Sequence, residues 1–155
     1  MGAVSLQAEQ MANLLRRVRH DFANHLQVVS GYLEIGQPDR ARRYLGTVIN
    51  DMGEERIVFA LHNGAAALYF YEQLVKVRDL GLTLHYEDLN IEAWEILAAC
   101  GEPYNSLAAL QPTMTGAPED VTVYLSIYED QQGIDMFFSW AGWEKSPPGI
   151  RISKE

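Results

Sequence analysis

The residues best placed to do chemistry surround one histidine near the N-terminus. They read Arg19-His20-Asp21-Phe22-Ala23-Asn24-His25-Leu26-Gln27. Histidine is substantially neutral at pH 7, and a neutral imidazole has a ring nitrogen lone pair that can attack phosphorus. The neighbouring carboxylate, amide and arginine side chains could orient that ring or bind an anionic group. If His20 is exposed on a helix, this arrangement is what a phosphorylatable histidine requires.

The periodicity around His20 predicts such a helix. Apolar residues recur in steps of three and four, which is typical of one buried stripe along an amphipathic helix: Met11, Leu15, Val18, Phe22, Leu26, Val29 and Leu33. At about 100° per residue, His20 lies roughly 200° from both Val18 and Phe22. Asn13, Arg16, Asn24 and Gln27 share its face. We therefore expect His20 to be exposed and flanked by polar side chains.

A second helix must follow closely in the chain. The first helix is predicted over Leu6–Ile35, and Gly36-Gln37-Pro38-Asp39 is typical of a tight turn. Apolar residues recur again at Ala41, Leu45, Val48 and Met52. Helices joined so briefly are antiparallel neighbours. Because a lone hairpin cannot bury such a long apolar stripe, we expect two hairpins to pair as a homodimeric four-helix bundle.

The run around His20 continues Val28-Val29-Ser30-Gly31-Tyr32-Leu33-Glu34-Ile35-Gly36, and over about eighteen positions it resembles the histidine box of bacterial two-component signalling proteins. By this pattern the chain is similar to the sporulation initiation phosphotransferase B family and to the citrate/fumarate-type sensor kinases. The resemblance implies that His20 carries the phosphoryl group and that Asn24 has a catalytic role. The acidic residue after the histidine orients or deprotonates the imidazole in the related kinases; in a phosphotransferase we expect a lesser role for Asp21, which either tunes His20 or bonds a partner. The alternative for Asn24 is an ordinary solvated amide.

The other polar residues near His20 are candidates for partner binding: Arg16, Arg17, Arg19 and Gln27. Guanidinium groups suit an acidic partner site or a phosphoryl group, although an arginine pair is more often a solvated helix face. His25 falls near the apolar seam and is interpreted as a hydrogen-bonded interface residue. His62 and His85 have no second ligand at a metal-binding spacing, so we expect no metal site.

The rest of the chain predicts a small α/β domain. We expect a helix over Ala65–Leu80 capped by Asn63, a strand over Leu82–Glu87, and a helix over Ile91–Cys100 capped by Asn90. Residues 121–128 and 134–140 alternate like a β-hairpin, and a short final strand follows. Residues 111–118 and 146–149 are predicted loops.

Residues 60–86 resemble the start of a histidine kinase ATP-binding domain. The elements that would hold nucleotide are missing: residues 91–100 have no asparagines for Mg²⁺, and no Asp-x-Gly-x-Gly or Gly-x-Gly loop follows. We therefore predict a degenerate ATPase-like domain without bound nucleotide or other cofactor. The predicted fold is α+β, with a hairpin domain over residues 1–61 and this domain over residues 62–155.

Composition limits the class of partner. Residues 1–43 carry six basic and four acidic side chains, so residues 44–155 must carry −11 to give the total of −9. A protein with this much net negative charge is a poor candidate for nucleic acid binding. No apolar run is long enough for a membrane span, the first ten residues do not resemble a signal peptide, and the single cysteine excludes an internal disulfide. We expect a cytoplasmic protein.

These observations favour a phosphorelay histidine phosphotransferase. It would receive phosphoryl groups from the aspartate of a response-regulator receiver domain, with Mg²⁺ bound in that regulator rather than in this chain. Two alternatives stay open. One is a non-catalytic dimeric module that binds a regulator, and the other is the remnant of a sensor histidine kinase that lacks its ATP site.

Overall fold

A computed structural model of the chain describes residues 2–114, 121–142 and 148–155, with side chains from residue 7 onward. The predicted α+β class is confirmed, because a helical N-terminal region precedes a four-stranded mixed sheet. The chain divides into two compact units, Met1–Gly53 and Glu54–Glu155. The domain boundary after residue 61 stays a prediction.

The first unit is built from two helices, α1 (Gly2–Glu34) and α2 (Pro38–Glu54). The turn between them uses the left-handed backbone of Gly36, at φ 73°, where a side chain would be strained. The amide of Gln37 then donates to the Tyr32 carbonyl at 2.8 Å, which satisfies a carbonyl at the end of α1. Pro38 begins α2, where its missing N–H costs nothing.

The two helices form a hairpin whose inner face buries few residues. Ala41 and Val48 of α2 are buried, whereas Val18, Val29 and Tyr32 of α1 are half-buried. The predicted apolar stripe of α1 is therefore divided between a half-buried side and a side that is exposed in the single chain. Most of its large residues are exposed in the single chain and are joined by exposed apolar residues of α2: Met11, Leu15, Phe22, Leu26, Leu33, Leu45, Ile49 and Met52.

Among its described residues, the second unit has four α-helices that precede or separate its strands in the chain: α3 (Arg56–Phe59), α4 (Gly64–Val77), α5 (Trp94–Cys100) and α6 (Tyr104–Leu110). The predicted cap of α4 is confirmed, because the Asn63 side chain accepts from the amides of Ala65 and Ala66 at 2.9 and 3.2 Å. That helix ends three residues earlier than predicted, and a 3₁₀ turn over Arg78–Leu80 leads to Gly81.

The sheet has the strand order β1-β2-β3-β4, with β1 (Leu82–Asn90), β2 (Val121–Glu129), β3 (Gly133–Trp140) and β4 (Gly149–Ser153). The first two strands pair in parallel and the other pairs are antiparallel. The predicted hairpin of β2 and β3 is confirmed. Residues 115–118 and 146–147 of the predicted loops lie outside the described residues, and residues 111–113 form a 3₁₀ turn.

Two predictions for the segment between β1 and β2 were wrong: the helix cap at Asn90 and the helix start at Ile91. Asn90 does not cap a helix, because β1 continues through it and α5 begins only at Trp94. The amides before α5 instead donate to the Glu129 carboxylate, from Glu92 at 3.2 Å and from Ala93 at 2.8 Å. An acceptor from β2, distant in sequence, thus replaces the local cap. The helix α6 was not predicted.

The helices of the second unit cover one face of its sheet. The largest fully buried side chains come from both layers: Phe70, Phe138, Leu84, Leu97, Leu107, Leu125, Ile127, Ile134 and Met136. The opposite face carries exposed aromatic side chains on the two central strands, Tyr124, Tyr128 and Phe137. Tyr128 and Phe137 lie with their ring centroids 6.2 Å apart, and the Tyr128 hydroxyl donates to Asp88 at 2.5 Å.

Candidate functional site

His20 lies in the C-terminal half of α1 with 72% of its side chain exposed. This exposure agrees with the periodicity, which places His20 away from the apolar residues of the helix. The backbone of α1 places His20 on the exposed side of the helix, and residues on the adjacent turns supply the polar side chains around it. The imidazole is therefore open to solvent in the single chain.

Two side chains of α1 approach the same ring nitrogen of His20. The Asn24 amide nitrogen Nδ2 lies 3.4 Å from His20 Nδ1, one helical turn away. The Asp21 oxygen Oδ1 lies 3.7 Å from the same Nδ1, which is beyond ordinary hydrogen-bond distance. The structure thus brings together His20, Asp21 and Asn24, the three residues predicted to be catalytic. Both contacts involve Nδ1, and neither involves the other ring nitrogen, Nε2.

These two neighbours favour different tautomers of a neutral imidazole. An amide nitrogen can only donate, so its contact with Nδ1 favours a lone pair on Nδ1 and the proton on Nε2. A carboxylate can only accept, so Asp21 favours the proton on Nδ1 and a lone pair on Nε2. The position of the Asp21 carboxylate therefore bears on whether Nε2 can act as a nucleophile.

The predicted partner-binding residues all lie on α1 near His20 but in different settings. The Arg17 Nε atom lies 3.6 Å from Asp21 Oδ1, and this pair is partly buried, with side chains 35% and 22% exposed. Arg16 is more exposed; its guanidinium donates to Asn13 at 2.7 Å and lies 3.7 Å from Glu9. Arg19 and Gln27 are exposed.

Tyr44 of α2 is a residue of this region that sequence reasoning missed. Its hydroxyl lies 2.6 Å from His25 Nδ1, and its ring lies 6.4 Å from that of Tyr32. Burial, and to a lesser extent Tyr32, raises the pKa of Tyr44, so its hydroxyl keeps the proton at neutral pH. The signal available was the tight turn, because residues on either side of it face each other in an antiparallel hairpin; His25 lies ten residues before Ile35 and Tyr44 lies seven residues after Gln37. His25 is thus tied to α2, one turn beyond Asp21.

The other histidines lie in the second unit. His62 is exposed before α4, whereas His85 is buried on β1 with its ring 5.5 Å from that of Tyr124. Within the part of the chain that the structure describes, no group of three His, Cys, Asp or Glu side chains could hold a metal ion. Across the same residues, no helix is both long and apolar enough to cross a membrane.

A comparison with protein families identifies the helical unit. Residues 3–61 match the family described as sensor kinase SpoOB-type, alpha-helical domain. This match confirms the resemblance inferred from the histidine box. The N-terminal domain is therefore a module of the type related to histidine kinases of two-component signalling. No curated protein matches the chain.

Proposed function

We propose that this protein is a phosphorelay histidine phosphotransferase that uses His20 as its phosphoryl carrier. The observation that carries the proposal is an exposed imidazole on a helix of a SpoOB-type domain, with Nδ1 approached by Asn24 and Asp21. The reacting atom would then be Nε2. The compartment we propose is the cytoplasm.

The proposed transfer is an in-line displacement at phosphorus. The Nε2 lone pair forms an N–P bond while the acyl phosphate P–O bond of a receiver-domain aspartyl phosphate breaks, and the electron pair leaves with the aspartate carboxylate. The proton on Nδ1 stays on the ring, which becomes positively charged. The Asp21 carboxylate stabilises that charge by attraction. In the reverse direction, the same residues return the phosphoryl group to a second regulator.

The partner we propose is a response-regulator receiver domain. Its acidic pocket holds Mg²⁺, and the basic residues beside His20 would meet that pocket or the phosphoryl oxygens: Arg16, Arg17 and Arg19. Gln27, two turns beyond His20, would bond the partner at the edge of the contact. No cofactor is assigned to this chain.

We further propose that the protein acts as a homodimer. The exposed apolar residues of α1 and α2 give the first unit a surface that a second hairpin would bury as a four-helix bundle. The second unit would be a degenerate ATPase-like domain, because the chain lacks the asparagines and glycine loops that hold Mg·ATP. Phosphate would therefore come from another protein rather than from ATP.

Incubation with a receiver domain carrying radiolabelled aspartyl phosphate tests the proposal. We expect an acid-labile, base-stable label on the wild type and none on His20→Ala. His62→Ala is the matched control, because it removes another exposed histidine, and it should accept label normally. A wild type that binds the receiver domain but takes no label would favour the non-catalytic binding module. Label on His20→Ala at the wild-type rate would refute the assignment of His20.

A further inference from the structure

The sheet face opposite the helices of the second unit carries a small residue surrounded by aromatic rings. Ser126 of β2 is half-buried, and strand alternation places Tyr124 and Tyr128 beside it on the same face. The sheet register places Phe137 of β3 on one side of Ser126 and Asp88 of β1 on the other. The three aromatic residues are 38–42% exposed. We call these five residues the aromatic cup.

Contacts within the sheet hold two of the rings in place. The Tyr128 hydroxyl donates to Asp88 Oδ2 at 2.5 Å, and the Tyr128 and Phe137 rings are inclined at 55° to each other. The Phe137 ring also lies against Gly149 of β4, where a Cβ atom would come within 3.0 Å of it. The glycine therefore leaves room for the ring beside the cup. A ligand would meet rings that are already positioned.

The cup lies in a region of negative charge. Within the described residues, Asp88 has no basic partner, whereas Asp135 on the same face is paired with Arg151 at 2.7 Å. Glu87 is exposed at the irregularity of β1 beside Asp88. The hydrogen bond to Asp88, and to a lesser extent the charge of Glu87, raises the pKa of Tyr128. Residues 54–155 carry six basic and sixteen acidic side chains, a net charge of −10.

These properties favour a cationic ligand over the other classes. An anion would be repelled by the carboxylates of Asp88 and Glu87. A neutral apolar group could cover the rings, but it would take the Asp88 carboxylate out of water without pairing it. A cation satisfies both parts of the cup, because aromatic faces attract it and the carboxylate pairs with it.

We propose that the aromatic cup binds an arginine side chain from an exposed segment of a partner protein. A guanidinium is planar, so it can stack on the ring of Tyr128 or Phe137 while its N–H groups donate to Asp88. Two copies of so acidic a unit repel each other, which favours a different, basic partner over self-association. The site does not involve His20, so it does not depend on the proposed phosphotransfer.

An NMR titration of the isotope-labelled full chain tests the cup with a defined probe, the peptide acetyl-Gly-Gly-Arg-Gly-Gly-amide. We expect the ring signals of Tyr124, Tyr128 and Phe137 to shift on addition of the peptide. The same peptide with citrulline in place of arginine has nearly the same shape without the charge. It should bind about tenfold more weakly, because it lacks both the ion pair and the cation–π attraction.

Three variants locate the binding. Asp88→Asn should raise the dissociation constant of the arginine peptide about three- to fivefold, and Phe137→Ala about two- to fivefold. Glu72→Gln is the matched control, because it removes one exposed carboxylate from α4, on the helix side of the sheet. It should bind as the wild type does, and so should His20→Ala. Melting curves show whether each variant is folded, and the citrulline comparison on the wild type needs no variant.

Three results would overturn the proposal. Equal binding of the arginine and citrulline peptides would show that the cup does not recognise a cation. Equal weakening by Asp88→Asn and Glu72→Gln would show that only the net charge of the protein attracts the peptide. Shifts of the same ring signals with protein concentration alone would make a second copy of the chain the occupant. Loss of phosphotransfer with normal peptide binding would refute only the proposed function.

Discussion

Phe22→Ala should weaken the proposed dimer strongly. Phe22 is 49% exposed in the single chain and lies on the apolar face of α1. An aromatic side chain buries roughly 200 Å², so the partner hairpin would cover about 100 Å² of this ring. At about 25 cal/mol per Å², this contributes roughly 2.5 kcal/mol per chain, and symmetry doubles it to about 5 kcal/mol. The dissociation constant should therefore rise by roughly three to four orders of magnitude.

Sedimentation equilibrium over a wide concentration range measures this shift, and two variants control for it. Phe137→Ala removes a ring of similar exposure, 42%, from the outer face of the sheet in the second unit. It should leave the dissociation constant unchanged even if it lowers the melting temperature. His20→Ala should also remain dimeric. A monomeric wild type would refute the bundle, and dissociation of His20→Ala as readily as Phe22→Ala would place His20 inside the interface.

Two further predictions concern nucleotide and pH. Millimolar Mg·ATP should leave the melting temperature unchanged in a thermal-shift assay, whereas binding at a hundredfold excess over Kd would add about 2.7 kcal/mol; a reproducible rise would revive the kinase alternative. The amide of Gln132 and the Arg151 guanidinium lower the pKa of Asp130, so its stabilisation is complete above its unfolded pKa and is lost as pH falls below about 4. Asp130→Asn should therefore melt lower than wild type at pH 7, and this deficit should be smaller at pH 3; an equal deficit at both values would show that charge is not the cause.

Local signals made the helical hairpin predictable. Gly36 and Pro38 mark the turn by their backbone requirements, and each lies where that requirement is met. The exposure of His20 follows from helical periodicity alone. Periodicity could not predict which residues of the apolar stripe are half-buried and which are exposed. Val18 and Phe22 both belong to the stripe, yet Val18 is half-buried and Phe22 is exposed in the single chain. That choice depends on where α2 lies beside α1.

Contacts between distant residues explain what the sequence could not predict in the second unit. Asn90 is a good local cap, yet it lies in β1, whose pairing with β2 brings Tyr128 opposite it. The same pairing brings the next residue of β2, Glu129, to the amides before α5. Likewise, the approach of Asp21 to Arg17 and His20 depends on side-chain rotamers, which periodicity does not specify.

The angular arrangement of α1 explains how one helix could serve both the dimer and the transfer reaction. At about 100° per residue, Phe22 lies roughly 200° from His20, so a partner hairpin over the apolar face would leave the imidazole open. Asp21 lies about 100° from His20, between that open face and the side that meets α2. Arg19 lies about 100° to the other side, at the edge of the apolar face. Among the four predicted partner-binding residues, Arg17 is the one that lies beside Asp21, on the side of His20 away from the apolar face.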